Sequence, residues 1–519
     1  MLTNKRLWLN ILLIIIVASA MMFPLLGDVP LLDPDEPVYA ETAREMVQFN
    51  DFVSPRIYGD FWYDKPPMYY WMVAGSFKVF GVNEFASRLP SALLAVAGAV
   101  LTYVAGRNFF GERGGTLAGL ILATSLEYFY LGKAAVTDIT LTFFLTASLF
   151  AFLHNRYYLF YFCAALAVVT KGPIGVIFCV AIIMLYIAVT GKWVLLKNMK
   201  LVSGAVLFLL VALPWYLLMY SYHGMAFIET FLGFHNLTRF LQPEHPSGTL
   251  WYYYIPVLIL GFFPWTSFLG QAVRSALKET GPAHDSLIFM VIWALVVFLF
   301  FSTSQTKLVS YILPMYPPLA LIVGWYFDKI WSHIQFRGLT WSALVQTLVS
   351  FMFVAGLFYA GKFVMPELHH VVTAIAGLFI MAVMLVWWFT YHRNFRSVFA
   401  TYILTMVILS GYIMIQLFPI IVPAYSMKSF VDNFNQQYDE QSTIYVAKSY
   451  RPGFVFYSQL SSKEISTGDS LETLLNNKTE GFFIVKAKDY NTLPAPLKSN
   501  VRVLATQQDK TLLVSRVAD

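Results

Sequence analysis

The stretch Asp33-Pro34-Asp35-Glu36-Pro37-Val38-Tyr39-Ala40-Glu41, closed further on by Asp64-Lys65-Pro66-Pro67, decides how this chain is read. It comes after an apolar run that ends at Leu26, and no other segment gathers carboxylates so densely. Adjacent acids after such a run, with Pro37 a residue further on, predict the capped start of a helix. On that helix Tyr39, Ala43, Met46 and Val47 share one face, and Glu41, Arg44, Glu45 and Gln48 take the other. A helix of this kind is expected to lie along a membrane surface.

The surrounding sequence implies the membrane. Of the 519 residues 58% are apolar and only 12% charged, with a mean hydropathy of +0.62, whereas a soluble globule carries about 25% charged residues. Lys5 and Arg6 precede an apolar run from Leu7 to about Leu26 that lacks a small-residue cleavage site, the pattern of an uncleaved first span. Further runs lie near 87–106, 115–132, 138–154, 157–170, 173–190, 202–222, 252–270, 286–303, 309–327, 341–361, 370–391 and 398–418. With the first they make about thirteen spans, and an odd count puts the termini on opposite sides of the bilayer.

Charge orients them. One set of loops holds Lys5, Arg6, Arg107, Arg113, Arg156, Lys192, Lys197, Lys200, Arg274, Lys278, Lys329, Arg337, Arg393 and Arg396 against few acids, which is the cytoplasmic pattern. The acidic stretch, the 221–251 loop and the tail then face the other side. The expectation is a multi-pass membrane protein whose site and C-terminal segment lie on the non-cytoplasmic side. From about Tyr425 the composition becomes that of a soluble domain. Ile444–Ala447, Phe482–Val485, Val501–Ala505 and Thr511–Ser515 read as strands and Leu471–Asn476 as helix, with a turn at Gln507-Gln508-Asp509-Lys510. The predicted fold class is therefore a polytopic α-helical membrane protein, residues 1–424, with juxtamembrane helices in a loop over 27–86, and then a small α/β domain over 425–519.

Several function classes fall away. The formal charge of +6 is mostly loop lysine and arginine placed by topology, so it gives no support to a nucleic-acid partner. Cys163 and Cys179 both sit in apolar runs, which supports neither a disulfide framework nor a cysteine metal site. No phosphate-cradling G-x-x-x-x-G-K-[ST] or G-x-G-x-x-G and no H-E-x-x-H occurs, so nucleotide hydrolysis and zinc proteolysis have no motif to rest on.

Three motifs taken together are specific: D-E-P-V-Y-A-E-T-A-R-E-M from Asp35 to Met46, Y-D-K-P-P-M-Y-Y-W from Tyr63 to Trp71, and N-E-F-A-S-R-L-P from Asn83 to Pro90. The combination resembles the lipid A aminoarabinose transferases and the related protein O-mannosyltransferases of the C-type glycosyltransferase superfamily. The resemblance covers the chain well to about residue 330 and the tail in outline. It implies transfer of a sugar from a polyprenyl phosphate donor, undecaprenyl phosphate, to lipid A or another glycolipid or protein acceptor among membrane lipids. It also implies that the membrane is the bacterial inner one, so that the non-cytoplasmic side is the periplasm.

Such transfer builds positive charge at the anomeric carbon, which a carboxylate can stabilise, or it calls for a base on the acceptor. The resemblance assigns this work to Asp35, the first acid of the pair, with Glu36 beside it and Asp138 as companion. The departing lipid phosphate needs fixed cations. Lys65 and Arg239 match the family's phosphate ligands most closely. Arg88, Lys171 in Thr170-Lys171-Gly172-Pro173, and Lys307 in Lys307-Leu-Val-Ser-Tyr311-Ile-Leu-Pro314 are further candidates. Each has an ordinary alternative as a snorkelling side chain at a span end. Tyr39, Tyr311 and Trp251 are the aromatic candidates for substrate contact. The resemblance implies no required cofactor, but the family places a divalent metal between the acid before the lysine of K-P-P and a loop histidine, here Asp64 with His235 or His245. Two departures bear on which sugar and acceptor are used: Val38 stands where aminoarabinose transferases commonly carry arginine, and Asp64 replaces the more usual glutamate. A protein O-mannosyltransferase would share the acids but need a polypeptide groove. A carrier or flippase of lipid-linked sugars would use the same cations without catalytic carboxylates, although transporters tend to hold such charges at mid-span.

Overall fold

The computed structural model describes residues 2–238, 241–242, 250–333, 336–363, 365–436, 438, 442–465 and 470–515. Arg239 and His245 lie outside the described residues. In an apolar surrounding every backbone polar group must be satisfied within the segment itself, and the apolar runs accordingly form helices. Among the described residues eight helices are long and apolar enough to cross a membrane, from Lys5–Met22 to Phe395–Tyr425. A ninth crossing arises if Tyr254–Gly261 and Thr266–Leu277, bent by 106° against one another, act together. Asp138–Leu153, Tyr157–Lys171 and Ile174–Thr190 are shorter apolar helices. Two expected runs share the 40-residue helix Glu84–Ala123, which breaks at Gly111 where φ is 84°. The thirteen expected runs correspond to these helices when both arms of Glu84–Ala123 and the three shorter helices are included, but by length and composition only eight or nine of the described helices are long enough to cross.

The chain divides into two compact units, and the division does not follow chain order. One comprises Met1–Leu26, Tyr63–Tyr69 and Leu89–Gln416; the other comprises Gly27–Trp62, Tyr70–Arg88 and Leu417–Asp519. The boundary expected near residue 424 would leave the 27–86 loop with the spans. Contacts group most of that loop with the tail instead, because the helix Asp35–Gln48 packs against Arg451–Ser458.

The first unit is an all-helical body whose interior is filled by large rings. Trp265, Trp293, Tyr103, Tyr254, Tyr316 and Phe178 are fully buried. Some polar side chains inside it are paired: Trp265 Nε1 donates to Thr124 Oγ1 at 3.0 Å, and the hydroxyls of Thr102 and Thr124 donate to carbonyls four residues earlier.

The second unit holds a five-stranded mixed sheet. Its strands are β1 (Ile444–Ala447), β2 (Lys463–Ile465), β3 (Gly481–Lys486), β4 (Arg502–Gln507) and β5 (Lys510–Ser515), in spatial order β2-β1-β3-β5-β4. The β1 strand runs parallel to both β2 and β3, while β5 is antiparallel to β3 and β4. The alternation of β3 sends Phe482 and Ile484 to one core, with Phe434, Phe454 and Leu512, and Phe483 and Val485 to a second with Leu471, Leu475 and Leu513. Four strands and the Leu471–Asn476 helix are those predicted from sequence. The short edge strand β2 is not, since Lys-Glu-Ile carries no alternating pattern.

The Asp35–Gln48 helix forms where predicted, but its faces differ from the expectation of a surface helix. Glu41 is 0% and Glu45 5% exposed, because the face expected to meet water is covered within this unit by Arg451–Ser458. No side-chain cap forms at Pro34; Glu36 reaches back to accept from the Leu32 N–H at 2.8 Å.

The Phe434 ring meets Phe454 edge-on at 5.2 Å and Phe482 at 5.6 Å. Phe434→Ala should destabilise this unit by about 3–5 kcal/mol through lost burial and an unfilled cavity, read as a lowered thermal midpoint.

Candidate functional site

In the second unit Asp35 opens its helix and is exposed, while its neighbour Glu36 is buried. Glu36 and Arg88 form a bidentate pair, with Nε to Oε1 at 2.8 Å and Nη2 to Oε2 at 2.6 Å, and both side chains are 5% exposed. The same guanidinium donates to the carbonyls of Val29 and Pro30. Arg88, expected as a phosphate ligand, and Glu36, expected among the catalytic acids, are thus committed to each other and to the loop backbone. A planar fork matched by a carboxylate and two carbonyls is the geometry in which a buried charge is tolerated. Tyr39 sits partly buried with its ring 5.8 Å from that of Tyr70.

In the first unit Asp138 begins the helix Asp138–Leu153 and Lys171 ends the helix Tyr157–Lys171. Gly172, at φ 77°, turns the chain so that Pro173 can start the next helix. Lys171 Nζ meets Asp138 Oδ1 at 2.7 Å and lies 4.9 Å from the centre of the Tyr311 ring. Three residues from separate sequence motifs, each singled out as a candidate, therefore share one cluster. The Tyr311 ring is also 5.1 Å from that of Phe301. Lys307 is buried, donates to the Ser304 carbonyl at 2.6 Å, and has its pKa pushed down by burial.

A further cluster of this unit is built on Asp64. Its Oδ1 lies 2.8 Å from Lys65 Nζ and 2.7 Å from His235 Nδ1. Tyr63, next in chain, packs on the rings of His223 and Phe227. Of the expected metal ligands, Asp64 and His235 come together, and His245 lies outside the described residues. Among the described residues no group of three His, Cys, Asp or Glu converges, and the oxygen facing His235 already carries an ammonium, which opposes a second cation. Trp251 is 76% exposed, with its ring edge-on to Tyr252.

Two pairings go beyond the sequence reading. Glu127 and Tyr316 are buried partners within the helical unit, the tyrosine hydroxyl donating to Glu127 Oε2. A carboxylate in an apolar run is the signal that would have found the pair. Lys133 makes the other: its ammonium donates to the carbonyls of Met22 and Pro24, where the first helix ends.

The second unit offers two measurements. Arg88→Met leaves the Glu36 carboxylate buried without its partner and should cost about 3–5 kcal/mol of stability, whereas Glu36→Gln with Arg88→Met should recover part of that loss in thermal unfolding. The Glu41 carboxyl is raised to about 7, by burial first and then by Glu45 beside it, although Arg44 Nη2 donates to it at 2.6 Å. A carboxyl with a folded value above its unfolded one favours the folded state at low pH, and that contribution is lost as pH rises from about 4.5 to about 7. Glu41→Gln should therefore be neutral at pH 5 and stabilising at pH 8, by on the order of 1 kcal/mol or more.

Comparison with known proteins gives these clusters a context. Residues 64–218 match the family model of the dolichyl-phosphate-mannose-protein mannosyltransferases. A relative from Aquifex aeolicus is 32% identical over 321 residues, 60% of this chain and 63% of its own length. Undecaprenyl phosphate-alpha-4-amino-4-deoxy-L-arabinose arabinosyl transferases from Yersinia enterocolitica and Edwardsiella ictaluri are 29% and 28% identical, over 64% and 60% of this chain and 61% and 59% of theirs. The alignments with these three thus span about six tenths of each relative. The fold matches the crystal structure of ArnT from Cupriavidus metallidurans bound to undecaprenyl phosphate with a TM-score of 0.81, covering 98% of both chains at 21% identity. It matches the Archaeoglobus fulgidus oligosaccharyltransferase more distantly, at a TM-score of 0.54 and 10% identity over 93% of this chain and 70% of that one. Residues 64–218 thus carry the pattern of the protein mannosyltransferase family, and nearly the whole chain shares the fold of the Cupriavidus ArnT structure.

Proposed function

We propose that this protein is a polyprenyl-phosphate-dependent glycosyltransferase that moves a sugar, a pentose such as aminoarabinose, from undecaprenyl phosphate to lipid A or another acceptor at the outer leaflet of the inner membrane. The observation that carries the reading is the likeness along 98% of the chain to a protein bound to undecaprenyl phosphate. The names of the Yersinia and Edwardsiella relatives supply the sugar.

In this reading the bond from the anomeric carbon to the phosphate oxygen breaks, the phosphate leaves with the electron pair, and an acceptor oxygen forms the new bond. Asp35 is the acting carboxylate. It is exposed at the start of its helix while Glu36 is locked to Arg88, which separates the two acids that the sequence places side by side. With a phosphate acceptor, already anionic, Asp35 stabilises the positive charge that develops on the sugar; with a hydroxyl acceptor it takes the proton. Lys65 and Lys171 are the cations for the departing phosphate, each now resting on a carboxylate, Asp64 and Asp138. A carboxylate partner can be exchanged for a phosphate, whereas Arg88 is held by four bonds to its own loop. Arg239 is kept as a phosphate ligand by the resemblance alone. If Asp64 and His235 were joined by a third donor, a metal there would add positive charge for the phosphate; no step depends on it. Tyr311, beside Lys171, and Tyr39 and Trp251 are assigned to the sugar and its lipid.

The match of 64–218 to protein mannosyltransferases favours a second reading, transfer to a protein hydroxyl. The acceptor consumed distinguishes the two.

The enzyme reading is tested with purified protein, undecaprenyl phosphate loaded with 4-amino-4-deoxy-L-arabinose, and lipid A. Asp35→Asn should bind donor nearly as wild type does while turnover falls on the order of 100-fold or more. Movement of intact donor across a bilayer without cleavage would establish a carrier instead. Export reporters fused at Gly59 and at the C-terminus should both read as periplasmic; a cytoplasmic signal from either overturns the orientation.

A further inference from the structure

The segment ahead of Asp35 is fixed by the far end of the chain. The helix Phe418–Tyr425 ends in carbonyls that lack partners inside the helix. Lys510, at the start of β5, donates to two of them, those of Pro423 at 3.0 Å and Ala424 at 2.7 Å. The third, of Tyr425, accepts from the Asp33 N–H at 2.7 Å. A lysine that is 1% exposed on a strand is costly unless its charge is met, and the C-terminal end of a helix meets it.

The Asp33 side chain is closely enclosed as well. Both carboxylate oxygens are buried. Neither makes a hydrogen bond among the described residues, and burial pushes the Asp33 carboxyl well up from its usual value. Gly453 is there for close approach, since a Cβ at this position would strike both oxygens. Two residues earlier the Leu31 N–H donates to the Tyr457 hydroxyl at 2.7 Å, and on the far side of Asp35 the Glu36–Arg88 pair closes the segment. Among the three acids of the run from 31 to 36, Asp35 is the exposed one, with fixed neighbours on either side.

We infer that the C-terminal α/β segment is a positioning element for Asp35: Lys510 fixes the helix end whose Tyr425 carbonyl binds the Asp33 N–H, Gly453 leaves room for the Asp33 carboxylate, and Asp33 sets where the Asp35 carboxylate stands. The inference rests on the reading of Asp35 given above. It assigns the tail a task in turnover rather than in donor capture, because a small displacement of an acting group costs rate far more than affinity.

The test uses full-length protein in lipid nanodiscs, with undecaprenyl phosphate alone as the binding probe and the loaded donor for turnover. Lys510→Met and Gly453→Ala should each lower turnover by about tenfold or more while changing undecaprenyl phosphate affinity by less than about threefold. Amide hydrogen exchange over residues 31–36 should become about tenfold faster, with exchange in the helical unit unchanged. Where Lys510→Met does not fold, Gly453→Ala carries the experiment. Wild-type turnover in folded variants, or unchanged exchange over 31–36, overturns the positioning role. Asp35→Asn run in parallel separates the two claims. If it keeps full turnover, the reading of Asp35 fails and the positioning role with it. If it is inactive while both tail variants match wild type, only the positioning role falls.

Discussion

The buried pair of Glu36 and Arg88 is the constraint around which the second unit is arranged. Moving two ions out of water costs several kcal/mol each, and mutual attraction offsets this only when geometry is good and the remaining donors are met. Here the carboxylate takes both fork nitrogens and also the Leu32 N–H, while the guanidinium gathers the carbonyls of Val29 and Pro30. The loop from 29 to 36 can take few paths that satisfy all of these bonds. The start of the Asp35–Gln48 helix is one consequence, and the exposed position of Asp35 beside a buried Glu36 is another.

The cations of this chain divide by what holds them. Lys133, Lys307 and Lys510 donate to backbone carbonyls at or beside helix ends, partners that cannot leave, and so they act as structural caps. Lys65 and Lys171 meet carboxylates at 2.8 and 2.7 Å. A charge inside an apolar body must be paired to exist there at all, so a cation intended for a transient anion needs a resident partner that can yield. An acid with a route to another proton or cation can do so, whereas a helix carbonyl cannot. This distinction ranks the candidate phosphate ligands more sharply than their positions at span ends.

The acids divide in the same manner. Glu41 and Glu45 lie one helical turn apart under the Arg451–Ser458 helix, and Gly59 donates its N–H to Glu45. Their burial raises their proton affinity, the expected response of carboxylates denied water. They belong to the packing of the tail on the loop helix, and with Glu36 they account for much of the carboxylate density that first draws attention to this stretch.

Sequence alone determined the membrane class, the helical runs and four of the five tail strands, and it proposed the candidate site residues, since hydropathy, two-residue alternation and short motifs are local properties. Thr170-Lys171-Gly172-Pro173 and Lys307-Leu-Val-Ser-Tyr311 were legible as motifs in this sense. That Lys171 meets both Asp138 and Tyr311 was not, because the three lie on different elements. Tertiary structure decided the rest. It buried Glu41 and Glu45 on the supposed solvated face of the Asp35–Gln48 helix, joined the loop near one end of the chain with the tail at the other, and left Asp35 exposed while pairing Glu36 with Arg88. The reason is physical: whether a charged side chain is solvated, paired or buried depends on which distant segment covers it, and periodicity along one helix carries no record of that partner.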